Sequence, residues 1–343
     1  MKILNKVKDF FNPKRVFLLV ALTTAGMIVF FTVTKEVPET SMPSSTPTLQ
    51  KIKIQAGYGQ KNAFVIFDSN ASFNLPKYLK IYKIENLPFT VEEAHLFAKK
   101  LETDQSFFEV NDAIFGKLFL FSGENSSLRI APSQHILDYK KFNITDENLK
   151  SLPKTEELVE IALSFLLEKQ LIPNKEYITF SNIKALSIRE HLEENPTSQP
   201  NAISISFLTK IESYPLYGSS YNTGVVNVTL NNELKVFRVY ADLPEKITSS
   251  DTYPTKDLEY LKKNASTEAI IQSLDNGRID VSDLSGGLVK QIEINEIEIG
   301  YLQETTVDAK YLQPVFHLKG NATLLTGVKV NATLYMPAII NKP

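Results

Sequence analysis

Residues Val16 to Val33 read VFLLVALTTAGMIVFFTV, 18 consecutive residues without a charge. A run that is apolar all round buries itself in a bilayer or a large core, and this one has the minimum length for a spanning helix. With Thr34 the predicted span covers 16–34. The preceding segment 1–15 carries Lys2, Lys6, Lys8, Lys14 and Arg15 against Asp9, a net of +4. By the positive-inside rule the N-terminus is then cytoplasmic and the chain from Lys35 onward extracytoplasmic. The rival, a cleaved signal peptide, needs an apolar stretch of about 7–15 residues and a small-residue cleavage site. TVTKEVPET follows here instead. The expectation is a single-pass protein of the cell membrane, with the lipid bilayer around 16–34. Thr23 and Gly26 offer a small-residue face for contact with another helix.

Segment 35–50 holds Pro38, Pro43 and Pro47 among Ser and Thr, a stiff polar tether that cannot pack a core. The folded part is expected from Lys51. A chain of 343 residues has room for two domains, and 43% apolar residues suffice for real cores. A net charge of −2 argues against a nucleic-acid partner. With no cysteine there is no disulfide framework, Cys-ligated metal or Cys nucleophile.

Thr90-Val-Glu-Glu93 is a capping box, and Val91, Ala94, Phe97, Ala98 and Leu101 share one helical face. Thr155 is expected to cap a second helix, with Leu158, Ala162, Phe165 and Leu166 at the same spacing. A third helical region is expected from Thr255 to Gly277, its second half starting at Ser266. Elsewhere the period is two. Strands are predicted over Ala202–Ile211, Val225–Leu230, Leu234–Tyr240 and Val328–Met336. Ile292 and Ile294 alternate with acids, and Ile297 and Ile299 do so one step out of phase, which predicts a bulge at Asn295-Glu296. The pattern reads as α+β: an N-terminal transmembrane helix followed by helix-plus-antiparallel-meander modules. The Ile172-Pro173-Asn174 break divides these into a first module, 51–174, and a second, 175–343.

The chemical motifs are sparse. His95, His135, His191 and His317 include no i, i+4 pair, and no metal or cofactor site is predicted. Ser181-Asn-Ile-Lys184 matches S-x-x-K and Ser220-Tyr-Asn222 matches S-x-N, as in penicillin-recognising serine enzymes. Ser181 lies in a strand-like context and no K-T-G follows, so a cell-wall-active serine hydrolase is the weakest reading. No catalytic residue is assigned. The segment Tyr214-Pro-Leu-Tyr217-Gly-Ser-Ser-Tyr221 sets three tyrosines on a Gly/Ser frame, which suits binding of a peptide or glycan. The bland reading is a hairpin connection whose tyrosines cover a sheet edge. Seven N-x-S/T sequons occur, at Asn70, Asn125, Asn143, Asn227, Asn264, Asn321 and Asn331.

Ile299-Gly-Tyr301, Tyr311-Leu-Gln-Pro-Val-Phe-His-Leu-Lys-Gly320 and Leu334-Tyr-Met-Pro-Ala338 resemble the closing strands of bacterial membrane-anchored proteins of the YycH/YycI type, with a PepSY-like rhythm of helix and meander. The resemblance covers the last third specifically and the rest in outline. It implies regulation without catalysis: such proteins restrain a membrane sensor histidine kinase. The expected function is therefore a non-enzymatic protein that regulates or scaffolds another membrane protein. The alternative is a surface peptide- or glycan-binding module built on Tyr214, Tyr217 and Tyr221.

Overall fold

A computed structural model describes residues 63–69, 71–142, 147–189, 192–194, 200–218, 224–275, 289–304 and 310–340. Three strands dominate its C-terminal part: β15 (Val289–Gln303), β16 (Tyr311–Leu324) and β17 (Lys329–Pro337), joined antiparallel in chain order. Strand β14 (Ile270–Asp275) adds to the outside of β17. The free edge of β15 is shared by two parallel partners. Strand β1 (Phe64–Phe67) takes its first half, and β10 (Tyr214–Gly218) takes its end. Strand β2 (Tyr78–Ile84) pairs with β13 (Ile247–Pro254) and with the start of β16.

The second layer is an antiparallel sheet of eight strands. In spatial order they are β3 (Ser106–Asp112), β4 (Gly116–Ser122), β5 (Ser126–Ala131), β6 (Ile136–Lys141), β12 (Val236–Asp242), β11 (Val226–Asn231), β9 (Ala202–Ile211) and β7 (Thr179–Arg189). A short β8 (Leu192–Glu194) lies on the end of β7. Because β9 turns directly into β10, the two layers are hydrogen-bonded into one system.

Alternation assigns each face of this sheet. Phe119, Phe121, Leu128, Ile130, Tyr139, Val239, Val228, Ile205 and Ile203 form the inner face and are buried together. Two helices cover them: α1 (Val91–Lys100) and α2 (Thr155–Glu168). Helix α1 begins with the expected capping box, the Thr90 hydroxyl taking the Glu93 amide and the Glu93 carboxylate taking the Thr90 amide. Such a cap contributes about 1 kcal/mol. Helix α2 starts one residue away from expectation: Lys154 is the N-cap and offers no side-chain bond. A third helix, α3 (Leu258–Glu268), drops Leu261 and Ala265 into a second core with Ile292, Ile294, Phe316, Leu318 and Leu334.

Several expectations are corrected. The chain is mostly β, with seventeen strands against three α-helices among the described residues, and it is not an α+β array of helix-plus-meander modules. The reason is that pairing is non-local. β1 joins β15 and β6 joins β12, so no helix owns the meander that follows it. The described residues belong to one compact unit, Pro47–Pro343. The cut placed at 174/175 lies inside that unit, and the β6–β12 ladder crosses it. The region Thr255–Gly277 is helical only to Glu268. Ile270 and Leu274 belong to strand β14, because the consecutive β-branched pair Ile270-Ile271 fits a pleat better than a helical turn. The bulge at Asn295-Glu296 is present, as a register shift between Ile294 and Glu296. There the backbone of β15 comes so close to Gly320 that a Cβ would meet the Glu293 carbonyl.

The predicted span 16–34, its contact residues Thr23 and Gly26 and the tether 35–50 lie outside the described residues. Among the described residues no helix is long and apolar enough to cross a membrane. The single-pass, extracytoplasmic assignment is corrected to that statement.

Leu158 is fully enclosed between α2 and the inner face of the eight-stranded sheet. Replacing it with alanine removes buried apolar volume that the surrounding strands cannot refill, at a cost of about 2–5 kcal/mol. Urea unfolding should show a lower midpoint with an unchanged slope.

Candidate functional site

Cross-strand register builds the site. Glu298 on β15, His317 on β16 and Tyr335 on β17 are direct neighbours, and so are Glu296, Lys319 and Thr333 one step along. Residues two apart on a strand share a face. Both rows therefore lie on one face of the C-terminal sheet, opposite the Ile297, Ile299, Phe316 and Leu318 face that packs on α3. Strand β10 lays Tyr217 across this polar face. Gly300 permits it: a Cβ there would collide with the Tyr217 ring and approach the Pro215 carbonyl.

Tyr217, Glu298, His317, Lys319 and Glu296 form one connected network. The Tyr217 hydroxyl donates to Glu298 Oε2 at 3.2 Å. His317 Nδ1 lies 3.0 Å from the Tyr217 oxygen and 3.3 Å from Glu298 Oε2. Lys319 Nζ reaches Glu298 at 2.8 Å and Glu296 at 3.1 Å. With a carboxylate facing it, Nδ1 of the neutral imidazole carries the proton and Nε2 is bare. Nε2 is enclosed and has no hydrogen-bond partner among the described residues, and neither has the hydroxyl of Tyr335 on the neighbouring strand.

Burial and partners set the charges. The hydrogen bond from His317, with Lys319 assisting, holds the Glu298 carboxyl well below the usual carboxylate range despite partial burial. Burial pushes His317 down, outweighing the opposing pull of Glu298. Lys319 is pushed down by burial but ends above its ordinary value, because Glu298 and Glu296 outweigh that cost. Burial, and then the charge of Glu298, push the Tyr217 hydroxyl up. At neutral pH the network is thus a carboxylate, an ammonium, a neutral imidazole and a protonated phenol.

This network forms the floor of a cleft of about 620 Å³. Its walls come from both layers: Ser181 to Lys184 of β7, Lys210 of β9, and Ser273 and Asp275 of β14. Asn321 and Asn331, opposite each other on β16 and β17, line it as well. Asp275 accepts from Asn331 Nδ2 at 3.2 Å and from Ser273 Oγ at 3.4 Å.

The three tyrosines do not converge. Residues 214 and 217 are an odd number apart on a strand and so face opposite ways. Tyr217 enters the cleft, whereas Tyr214 packs edge-on against Tyr301 and lines a separate hollow with Leu75, Ile297 and Ile299. Tyr221 lies outside the described residues. Ser181 and Lys184 both line the cleft but sit on an extended strand, without the helical turn that S-x-x-K chemistry uses. Ser220 and Asn222 of the S-x-N match lie outside the described residues, as does His191. His95 pairs with Asp104 at 2.7 Å, and His135 stacks on Phe89 with Nε2 2.7 Å from the Leu87 carbonyl. Among the described residues no group of three His, Asp or Glu side chains is placed to hold a metal. The sequon at Asn227 is buried, its amide spent on Ser206 and Gly224. Sequence reasoning missed Glu298, Lys319, Lys210 and Asp275. They fall on four strands without a shared motif, and their one local signal is a charged residue at a strand position that alternation assigns to a single face.

Fold and site together describe a β-rich protein with a polar cleft between two hydrogen-bonded layers. No family model matches this chain, and no curated protein matches it.

The network makes folding sensitive to acid. Glu298 has a lowered native value, so its contribution is complete above about 4.3, its unfolded value, and is lost as pH falls towards the native one. His317, also lowered, contributes fully above about 6.5 and loses that contribution as pH falls through its native value. Both effects act in the same direction. The melting temperature of the wild type should therefore fall between about pH 7 and about pH 3 more steeply than that of Glu298→Gln, as followed by circular dichroism. Parallel curves would show that the network is not coupled to folding.

Proposed function

We propose that the protein is a non-catalytic recognition module that binds an extended peptide segment of another protein in the cleft, and regulates or scaffolds that partner by doing so. The observation that carries this reading is the mixed lining. Lys210 and Asp275 bring side chains of opposite sign to the cleft, set among the amides of Asn321 and Asn331. A peptide presents N–H and C=O groups in alternation and side chains of either charge, which such a lining can pair.

Two physical arguments favour a peptide over a glycan and binding over catalysis. A sugar ring packs its C–H face on an open aromatic ring. The aromatic groups of this cleft are Tyr217, 2% exposed, and His317, 7% exposed, so neither offers a platform. A general acid or base needs a pKa near the working pH and access to its substrate. Glu298 is too acidic, the Tyr217 hydroxyl too basic, and His317 Nε2 is enclosed. The resemblance of the closing strands to YycH/YycI-type proteins, which act on a sensor kinase without chemistry of their own, agrees with a protein as the partner.

Lys210 is exposed at the rim, so Lys210→Glu should leave the melting temperature unchanged. Selection of a random peptide library on the wild type should enrich a motif, and the variant should bind that peptide about tenfold more weakly by fluorescence anisotropy, equivalent to about 1.4 kcal/mol. No enrichment on the wild type, or equal binding by both proteins, would overturn the peptide reading. Retention on a glycan array instead would move the cleft to the glycan alternative.

A further inference from the structure

A second pair of buried polar groups lies away from the cleft network. Asp242 ends β12 of the eight-stranded sheet, and Gln303 ends β15 of the C-terminal sheet. Both are almost wholly enclosed, at 1% and 2% exposure. Gln303 Nε2 donates to Asp242 Oδ1 at 2.8 Å. The two remaining oxygens, Asp242 Oδ2 and Gln303 Oε1, are both buried and have no hydrogen-bond partner among the described residues. They belong to the same two side chains.

A carboxylate and an amide oxygen are acceptors only, so as ions and amides these atoms cannot satisfy each other. Turning the Gln303 amide over does not help, because Oε1 would then face Asp242 Oδ1, the oxygen that Nε2 now serves, and two acceptors would again be opposed. One proton resolves the whole arrangement. If Oδ2 is a hydroxyl it donates to Oε1, and acid and amide close a ring of two hydrogen bonds, with every polar atom satisfied.

We propose that Asp242 is held as the neutral carboxylic acid and forms a closed acid–amide pair with Gln303, a proton-dependent latch between the two sheets. Among the described residues no cation pairs with Asp242. Ile136 faces Asp242 from β6, the Asp242 backbone N–H is spent on the carbonyl of Val225, just before β11, and Gln303 is opposite Gly218 of β10. The ionisable side chain that shares its field is Tyr240, two residues earlier on the same strand. The hydroxyl of Tyr240 is itself pushed well up by burial and is neutral. Asp138 on β6 and the Arg129 and Arg238 that it pairs act on Tyr240. Desolvation dominates at Asp242 and raises its carboxyl well above the ordinary range, against a smaller opposing pull from the Gln303 amide.

The latch has a definite pH sense. The native value lies above the unfolded one of about 3.9, so the pair's contribution is complete below that point and is lost as pH rises through the native value. This is opposite to the acid sensitivity of the Glu298 network and does not depend on what the cleft binds. An amide in place of the acid can close the same ring without a titrating proton.

Infrared difference spectroscopy of the intact protein at about pH 7 tests the proton directly. The wild type should show the C=O stretch of a protonated carboxyl, shifted in heavy water and absent from Asp242→Asn. No such band, or a band that persists in the variant, would overturn the proposal. Thermal unfolding gives a second test. From about pH 5 to about pH 9 the wild type should lose several degrees relative to Asp242→Asn, for a domain in which about 2–4 °C corresponds to 1 kcal/mol. Parallel curves would sink the latch. Should Asp242→Asn fail to fold, the wild-type spectrum at neutral pH decides alone.

Discussion

The ladder between β15 and β16 runs from Val289 opposite Leu324 to Leu302 opposite Gln313. With one edge of β15 committed to β16 along this length, its other edge has to be closed by whatever chain can reach it. β1 and β10 divide that edge between them, both parallel to β15, and β10 arrives directly from β9 of the eight-stranded sheet. The position of the second sheet relative to the first is thus set by backbone hydrogen bonds through β10. Side-chain packing then fills what this connection leaves.

The same strand explains the polar cluster. Its inner face is apolar and packs on α3, so its outer face is the place where Glu296 and Glu298 can be kept. Because the Tyr217 ring of β10 lies over that face, it is only half open to water. A carboxylate in such a place is stable when other groups donate to it, and Tyr217, His317 and Lys319 do so. The resulting network has a definite charge pattern at neutral pH, which suits recognition. At the end of β15 the balance is reversed. Gln303 meets an acid that no cation among the described residues pairs with, and neutrality is the remaining solution.

Local sequence carried a good part of the secondary structure. The capping box at Thr90, strand β9 and the phase slip at Asn295-Glu296 were all legible, because each depends on neighbours within a few residues. The architecture was not. Strands buried on both faces lose their alternation, as in β11, where every residue from Val226 to Asn231 is buried. The pairing of β6 with β12 joins residues about 100 apart, for which no local pattern exists. The tyrosines of β10 show the same limit: Tyr214 and Tyr217 are neighbours in the chain, but an odd spacing on a strand sends them to opposite sides.

The sequence by itself determined which residues alternate, where helix α1 starts, and that no cysteine chemistry is available. These are properties of single residues and of their near neighbours along the chain. Only the tertiary structure decided that Glu298, His317, Lys319 and Tyr217 meet, and that Asp242 faces Gln303. Each of those contacts depends on strand register across sheets, and a shift of one residue would send every side chain to the other face.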